Sequence, residues 1–366
     1  MARLSTDNIL SAAASRSHGG PDQHGVPPHD FSTNSNACGP CPAALAAVSH
    51  ADASHYPDAS FTALRQQLAD FHGVDVPRIV LAASASEFIF RITAVAQQQG
   101  GRAVWLPPHS YGDYAQAARA HRLALASEAS QAQLLWACEP SSPLGAAQSG
   151  LGEQVHQLAA PAMLVLDRAY EPLRLSGAPS LTEAQLQTVW QLWTPNKALG
   201  LTGVRAAYAI APVSAWEAVA ALEQLCPSWP VGAHGVAMLQ AWTRADVQAW
   251  LADSIKTLRD WKARQISRCE SMGWSCLASD ANFFCACPAL PQGVILQQAL
   301  AGLRKHGIKL RDTASFGLPD QVRISVQPPA TQDALKMAWQ ALNAGTSSVG
   351  KRNQKFRTDP HKPHLL

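Results

Sequence analysis

The strongest constraint on the fold of this chain is an alternation of short apolar runs with helix-like segments. The runs are Arg78-Ile-Val-Leu81, Ala103-Val-Trp-Leu106, Gln133-Leu-Leu-Trp-Ala-Cys138, Met163-Leu-Val-Leu166 and Ala206-Ala-Tyr-Ala-Ile210. Each is too short and too evenly apolar for an amphipathic helix and fits a strand buried on both faces. Between them, residues 61–72 place Leu64, Leu68 and Phe71 on one helical face and stop at Gly73. Helices are also expected over 43–48, 88–98, 114–121 and 181–192. Strands separated by helices predict an α/β fold with a mostly parallel sheet covered on both faces. Functional side chains then belong at the C-terminal ends of its strands.

Ser84 to Glu87, Tyr111, Ser141-Ser142, Asp167 and Lys197 all fall at such ends. Ala82-Ala-Ser-Ala-Ser-Glu87 leads from a strand into a helix N-terminus, where backbone N–H groups can hold an anion. The stretch Trp193-Thr-Pro-Asn-Lys-Ala-Leu-Gly-Leu-Thr-Gly-Val-Arg205 sets one lysine between a threonine and an arginine. Gly200 and Gly203 mark places where its backbone must bend or approach a neighbour closely. A desolvated amine can form a Schiff base with an aldehyde while the hydroxyl and guanidinium hold a phosphate. The competing reading is a surface turn with a solvated lysine.

Beyond Pro212 the texture changes. Long helices are expected over 214–224, with Ser214 as N-cap, over 232–241 and over 245–272; the tryptophans Trp216, Trp242, Trp250 and Trp261 read as core. Strands over 279–286 and 321–326 flank a helix over 294–306, an α+β module. The domain plan is an amino-terminal arm with part of the small domain over 1–50, a large domain over 51–230, a small domain over 231–345 and a disordered basic tail over 346–366. Within the arm, the polar segment 30–36 reads as an ordered loop. The tail carries Lys351, Arg352, Lys355, Arg357 and Lys362 against Asp359, a charge of +4 that leaves −1 on the body out of the overall +3. A near-neutral body gives no footprint for nucleic acid. Only 15% of residues are charged and eleven are tryptophan, which suggests extensive burial and a subunit interface. No apolar run is long enough to span a membrane, and the first thirty residues lack the apolar stretch of a secretory signal. The eight scattered cysteines point to a reducing cytoplasm. Cys38-Gly-Pro-Cys41 has no second ligand pair at zinc-site distance and reads as a turn with two thiols, with no metal expected.

Thr194-Pro-Asn-Lys197 with Gly203-Val-Arg205, His18-Gly-Gly20 and Asp30-Phe-Ser-Thr-Asn-Ser-Asn36 together resemble fold-type I pyridoxal-phosphate enzymes, across residues 17–335. The chain is most similar to the subgroup of histidinol-phosphate aminotransferase and its relative, the threonine-phosphate decarboxylase of cobalamin synthesis; the HGG element resembles the decarboxylase branch. The resemblance implies a fold-type I large domain with a seven-stranded-type sheet, a smaller α+β domain and pyridoxal 5′-phosphate as cofactor. It makes Lys197 the Schiff-base lysine and carrier of the Cα proton, Asp167 the partner of the pyridine nitrogen and Tyr170 the partner of the ring hydroxyl. Tyr111 would stack on the ring, or Tyr114 if the register slips. Ala85, Ser86, Thr194 and Arg205 would hold the phosphate. Tyr56, in His55-Tyr-Pro-Asp58, would reach the neighbouring subunit's phosphate, which implies a homodimer with shared sites. Arg323 would clamp the substrate carboxylate, and Arg311, His18 and Asn36 a distal phosphate. By residue chemistry alone, Asp167 could instead cap a helix or form an ion pair, and Arg323 could be a surface ion pair.

Three positions depart from the family pattern. Ser142, in Glu139-Pro-Ser-Ser-Pro-Leu-Gly145, stands where an asparagine donates to the ring hydroxyl, so this cofactor contact is expected to be lost or bridged by water. Asn196 replaces a phosphate-binding serine, and Gln327 a glycine. The resemblance thus implies an aminotransferase acting on an amino acid or amino-phosphate and a 2-oxo acid. Its alternatives are a threonine-phosphate decarboxylase-like enzyme and a cofactor-binding protein with little turnover.

Overall fold

The computed structural model describes residues 18–354. A seven-stranded sheet runs in the order Ile79–Ala82, Ala207–Ile210, Trp190–Trp193, Met163–Asp167, Leu134–Cys138, Ala103–Trp105, Ala124–Leu125. Ala207–Ile210 is antiparallel to both neighbours, and every other pairing is parallel. The C-terminal ends of the other strands and the start of Ala207–Ile210 therefore share one edge. That antiparallel insertion is what brings Arg205 to the same edge as Asp167 and Thr194.

Successive side chains alternate between the sheet's two faces. Ile79 and Leu81 pack with Leu64, Leu68, Tyr208 and Met238, whereas Val80 and Ala82 pack with Phe88, Ile92, Tyr114 and Trp136. Helix Thr62–His72 ends as expected at Gly73, whose left-handed φ of 63° closes its last turn, although Phe71 is partly exposed.

The helix expected over 181–192 is not formed. Only Glu183–Leu186 is helical, one turn fixed by a capping box between Thr182 and Gln185. Trp190–Trp193 is a strand buried throughout. Buried on both faces, it lacks the polar alternation that would have separated it from a helix.

Helix Ala245–Ser271 buries Val247, Leu251, Ser254, Leu258, Lys262, Gln265 and Cys269, a single stripe at three- and four-residue spacing. Its first half packs on the large sheet's core, and Cys269 joins Trp274, Phe284, Leu303 and Trp339 in a separate core. That second core lies on an antiparallel sheet ordered Arg311–Asp312, Val322–Ser325, Phe283–Cys287, Ser275–Cys276. Ser214 does not cap the helix Trp216–Gln224; the N-cap is Ala215, without a side-chain bond. Starting later than expected, that helix leaves Trp216 50% exposed rather than in the core, while Trp242 is buried and Trp250 and Trp261 are partly buried. The last helix, Pro329–Gln354, takes in residues 346–354 of the tail expected to be disordered; residues 355–366 of that tail and residues 1–17 of the arm lie outside the described residues. No helix among the described residues is long and apolar enough to cross a membrane.

Behind the sheet, Tyr208 Oη accepts from Trp242 Nε1 (3.1 Å) and lies 2.7 Å from His72 Nε2. Burial, reinforced by Arg168, pushes the His72 pKa from 6.5 down to about 4. Between those values the unfolded chain binds a proton that the folded protein refuses. Stability from this group is therefore complete above pH 6.5 and falls as the pH drops towards 4. Denaturant unfolding at pH 7.5 and at pH 5 is expected to show this loss, with a shallower pH dependence in His72→Phe.

Candidate active site

The shared edge of the sheet opens into a cavity of about 220 Å³ lined by Ser84, Ala85, Ser86, Tyr111, Asp167, Tyr170, Thr194, Lys197 and Arg205, among others. Asp167 ends its strand 5% exposed. Its Oδ2 accepts from Tyr114 Oη (2.7 Å) and its Oδ1 from the Ala169 N–H (2.9 Å). Burial raises its pKa, and Tyr114, Lys197 and the Ala169 amide oppose the rise. No cation pairs with it directly among the described residues. Lys197 Nζ lies 3.3 Å from Thr194 Oγ1 and 5.4 Å from the centre of the Tyr170 ring.

An anion cradle forms at one side. Ser84 caps helix Ala85–Gln98 by accepting from the Glu87 N–H, which leaves the first-turn N–H groups of Ala85 and Ser86 without intrahelical acceptors. Arg205 lines the same end and has no ion-pair partner among the described residues. The Ser86 hydroxyl donates to Asp113 Oδ2 (2.5 Å), so what Ser86 offers an anion is its backbone N–H. Asn196 does not supply a serine-like donor here. Its Nδ2 faces the Thr202 and Val204 carbonyls at 3.4 Å, and it braces the turn leading to Arg205.

Tyr111 sits at the N-cap of helix Gly112–Ala120 and lines the cavity; burial, with Asp113 nearby, pushes its phenol pKa well up. Tyr114 cannot take its place. The Tyr114 ring is fully buried and stacked on Trp136 (4.2 Å between centroids), and its hydroxyl is committed to Asp167.

A second cavity, about 320 Å³, shares Thr33, Tyr111, Ser142, Tyr170, Lys197 and Thr202 with the first, so the two are compartments of one site. Its far wall holds two arginines directly opposite each other on adjacent antiparallel strands, Arg311 and Arg323. Both contact the Phe316 ring, at 5.0 and 5.6 Å. Burial and the neighbouring Arg323 lower the Arg311 pKa to about 10, and burial lowers that of Arg323. Two like charges held face to face make a wall suited to an anion. Arg323 Nη1 donates to Ser142 Oγ (3.0 Å) and Nη2 to the Ser32 carbonyl (3.2 Å), while its Nε is buried without a partner among the described residues.

His18, exposed, lies at the rim with its ring 6.3 Å from that of Tyr111. Asn36 lines neither compartment. Its Nδ2 donates to the Ala198 carbonyl and its Oδ1 accepts from the Cys38 N–H, so its amide holds the lysine loop instead of facing a ligand. Tyr56 is also outside both compartments, 78% exposed and stacked on Trp229. Gln327 turns away and donates to Ser325 Oγ. Sequence reasoning missed Thr33, Asn34, Asp113 and Arg119. The first two had a signal: Asp30 accepts from the Ser32 N–H and the Thr33 hydroxyl, an Asx-type turn that fixes the arm.

The sequence profile of the aminotransferase class I and II family matches residues 28–342. The chain belongs to this family. It is 26% identical over 339 residues to a histidinol-phosphate aminotransferase of Jannaschia sp. (strain CCS1), covering 87% of this chain and 92% of that protein. Among solved structures, histidinol-phosphate aminotransferase from Sinorhizobium meliloti in complex with pyridoxal-5′-phosphate has a TM-score of 0.73 at 19% identity, covering 93% of this chain and 96% of that one. L-threonine-O-3-phosphate decarboxylase from Porphyromonas gingivalis has a TM-score of 0.67 at 19% identity, covering 82% and 95%.

Class I and II aminotransferases are pyridoxal-phosphate enzymes, and the residues present fit that group. Asp167 is a buried carboxylate without a direct counter-cation, which a protonated pyridine nitrogen would supply. The cradle at Ala85, Ser86 and Arg205 offers donors and positive charge for a phosphate. Lys197 lies between them in a loop held by close packing. Gly200 has φ +70°, and a Cβ there would stand 2.9 Å from Pro40 Cα, whereas a Cβ at Gly203 would meet nothing. This loop thus requires glycine at the first of the two expected positions and not at the second. Gly200→Ala is expected to cost about 1–3 kcal/mol of stability and to weaken cofactor retention, with Gly203→Ala close to neutral; thermal unfolding with and without cofactor measures both.

Proposed function

We propose that the protein is an aminotransferase of the histidinol-phosphate aminotransferase type, moving an amino group between an amino acid or amino-phosphate and a 2-oxo acid. One observation carries this reading: Lys197 lies where an anion cradle with a buried carboxylate meets a compartment walled by Arg311 and Arg323. Bound pyridoxal phosphate supplies a ring that delocalises charge left on Cα when a bond there breaks. The other roles belong to this chain. Lys197 would hold the cofactor covalently and carry the Cα proton, with the Thr194 hydroxyl steadying its amine. Asp167 would keep the ring nitrogen protonated, Tyr170 would bond the ring hydroxyl, Tyr111 would cover the ring, and the cradle of Ala85, Ser86, Thr194 and Arg205 would hold the phosphate. Arg323 has N–H groups in reserve beyond its bonds to Ser142 and Ser32, which suits it to a substrate carboxylate.

Arg311, Arg119 and His18 around the outer compartment favour a substrate with a second negative group, carboxylate or phosphate. Asn36 has no part in this reading, because its amide is engaged by backbone. Tyr56, exposed and outside its own chain's site, supports a homodimer in which it completes the partner's phosphate site. All eight cysteines are free thiols, which supports a reducing, cytoplasmic location.

A second reading, decarboxylation of a phosphorylated amino acid, is favoured by the His18-Gly19-Gly20 arm at the rim of the outer compartment. A Cβ on Gly19 would stand 2.1 Å from the Ser32 carbonyl oxygen, so the arm is packed there and not loosely draped. The two readings differ in which Cα bond stands perpendicular to the ring, C–H or C–carboxylate. Mixing the loaded enzyme with a panel of amino donors separates them. Transfer requires the aminated cofactor and a 2-oxo acid; carbon dioxide as the product would replace this reading with the second. Lys197→Ala is expected to fold normally, to lose covalent cofactor in mass spectra after borohydride reduction, and to lose activity by several orders of magnitude.

A further inference from the structure

Asn34 is the buried polar group of the outer compartment that no role above uses. It is 3% exposed and lines the cavity beside Lys197, Tyr170, Ser142 and Arg323. Its Nδ2 lies 3.4 Å from Tyr170 Oη, and its Oδ1 has no hydrogen-bond partner among the described residues. Turning the amide over would leave Nδ2 unpartnered instead, so one end stays unsatisfied in either orientation. A buried amide end left in this way is costly, and the cavity wall is where a ligand can satisfy it. Its position is fixed. Asp30 locks the preceding Ser32 and Thr33, and the Ser35 carbonyl accepts from Asn282 Nδ2 (3.0 Å).

We propose that Asn34 is a positioning residue that acts through Tyr170. By donating to Tyr170 Oη, the amide occupies a lone pair of the phenol, whose own proton is then directed into the cofactor compartment. Oδ1 remains to accept from an N–H or O–H group of the bound substrate. At the neighbouring Ser142, one of the two acceptor sites of the hydroxyl is already taken by Arg323. The proposal rests on the reading that Lys197 and Tyr170 serve the cofactor.

The test is a pH titration of the visible absorption of the cofactor-loaded protein, which reports protonation at the nitrogen contributed by Lys197. The charged and titratable groups facing it are Asp167, Lys197, Tyr170, Cys138 and Arg205 from the large sheet's edge, Tyr111, Asp113, Tyr114 and Arg119 from the helix Gly112–Ala120 and its N-cap, Arg311 and Arg323 from the small sheet, and His18 from the arm. All of these are unchanged in an Asn34 variant. A phenol that donates to the ring oxygen makes that nitrogen easier to deprotonate, so Asn34→Ala should raise the midpoint by about 0.5–1 unit, the effect of one neutral hydrogen bond. In a Tyr170→Phe background the same change should produce no further shift. Asn34→Leu, which keeps the volume without the amide, should behave as Asn34→Ala does and serves if alanine compromises folding. An unshifted midpoint in Asn34→Ala, or an equal shift with and without Tyr170, overturns the proposal. A wild-type protein with no titrating visible band would sink the cofactor assignment itself, which is a different outcome.

Discussion

The site depends on one set of backbone hydrogen bonds, those by which the arm around residues 29–41 ties the lysine loop to the small sheet. On one side the Asn36 N–H donates to the Lys197 carbonyl (2.9 Å), Asn36 Nδ2 to that of Ala198 (3.0 Å) and the Cys41 N–H to that of Leu199 (2.8 Å). On the other, the Phe31 N–H donates to the Lys309 carbonyl and the Ser325 N–H to that of Phe31. The lysine, the arginine wall and the arm are therefore one connected structure, although they are far apart in sequence. Remove the arm, and the loop that presents Lys197 loses three acceptor contacts at consecutive residues, as well as the Pro40 surface on which Gly200 rests.

With that frame fixed, the placement of charge follows a consistent logic. Cations line both compartments, the exposed Arg205 in one and the buried Arg311 and Arg323 in the other, while the buried carboxylate Asp167 lines the Arg205 compartment. Asp167 and Arg323 have no ion-pair partner among the described residues. Buried charges of this kind cost free energy in the empty protein, a cost offset when a ligand of matching pattern binds. The required pattern is anionic at both ends with a protonated ring nitrogen between. A phosphorylated pyridine cofactor joined to a carboxylate-bearing substrate has that pattern.

The large sheet was legible because its strands are short apolar runs, and so was the lysine loop, because few residue types satisfy both an amine and a phosphate. Trp190–Trp193 was not. Residues 181–192 combine a true capping signal at Thr182 with a strand that is apolar on both faces, and local patterns cannot show where one stops. On the substrate side, Asn34 lines the outer compartment and the expected Asn36 does not. Asn34 and Asn36 are the same residue type in the same polar segment, and only tertiary packing shows that Asn36 is used up by backbone while Asn34 keeps a free end. Arg119 carried no signal at all, being one arginine near the end of an ordinary amphipathic helix.

The departures at positions 142 and 196 gain meaning from the same contacts. Asn196 has its amide on the backbone of the turn that delivers Arg205, so the change from serine trades a direct donor for support of the guanidinium. Ser142 has its hydroxyl on Arg323, so position 142 orients the arginine whichever way it meets the cofactor. In the reading proposed above, each change gives up a contact to the ligand for one that supports a ligand-binding residue, and discrimination then falls to the outer compartment. That compartment is assembled from the arm, the helix Gly112–Ala120 and the small sheet. Specificity there depends on how these three are held together, and a single altered loop is not enough to set it.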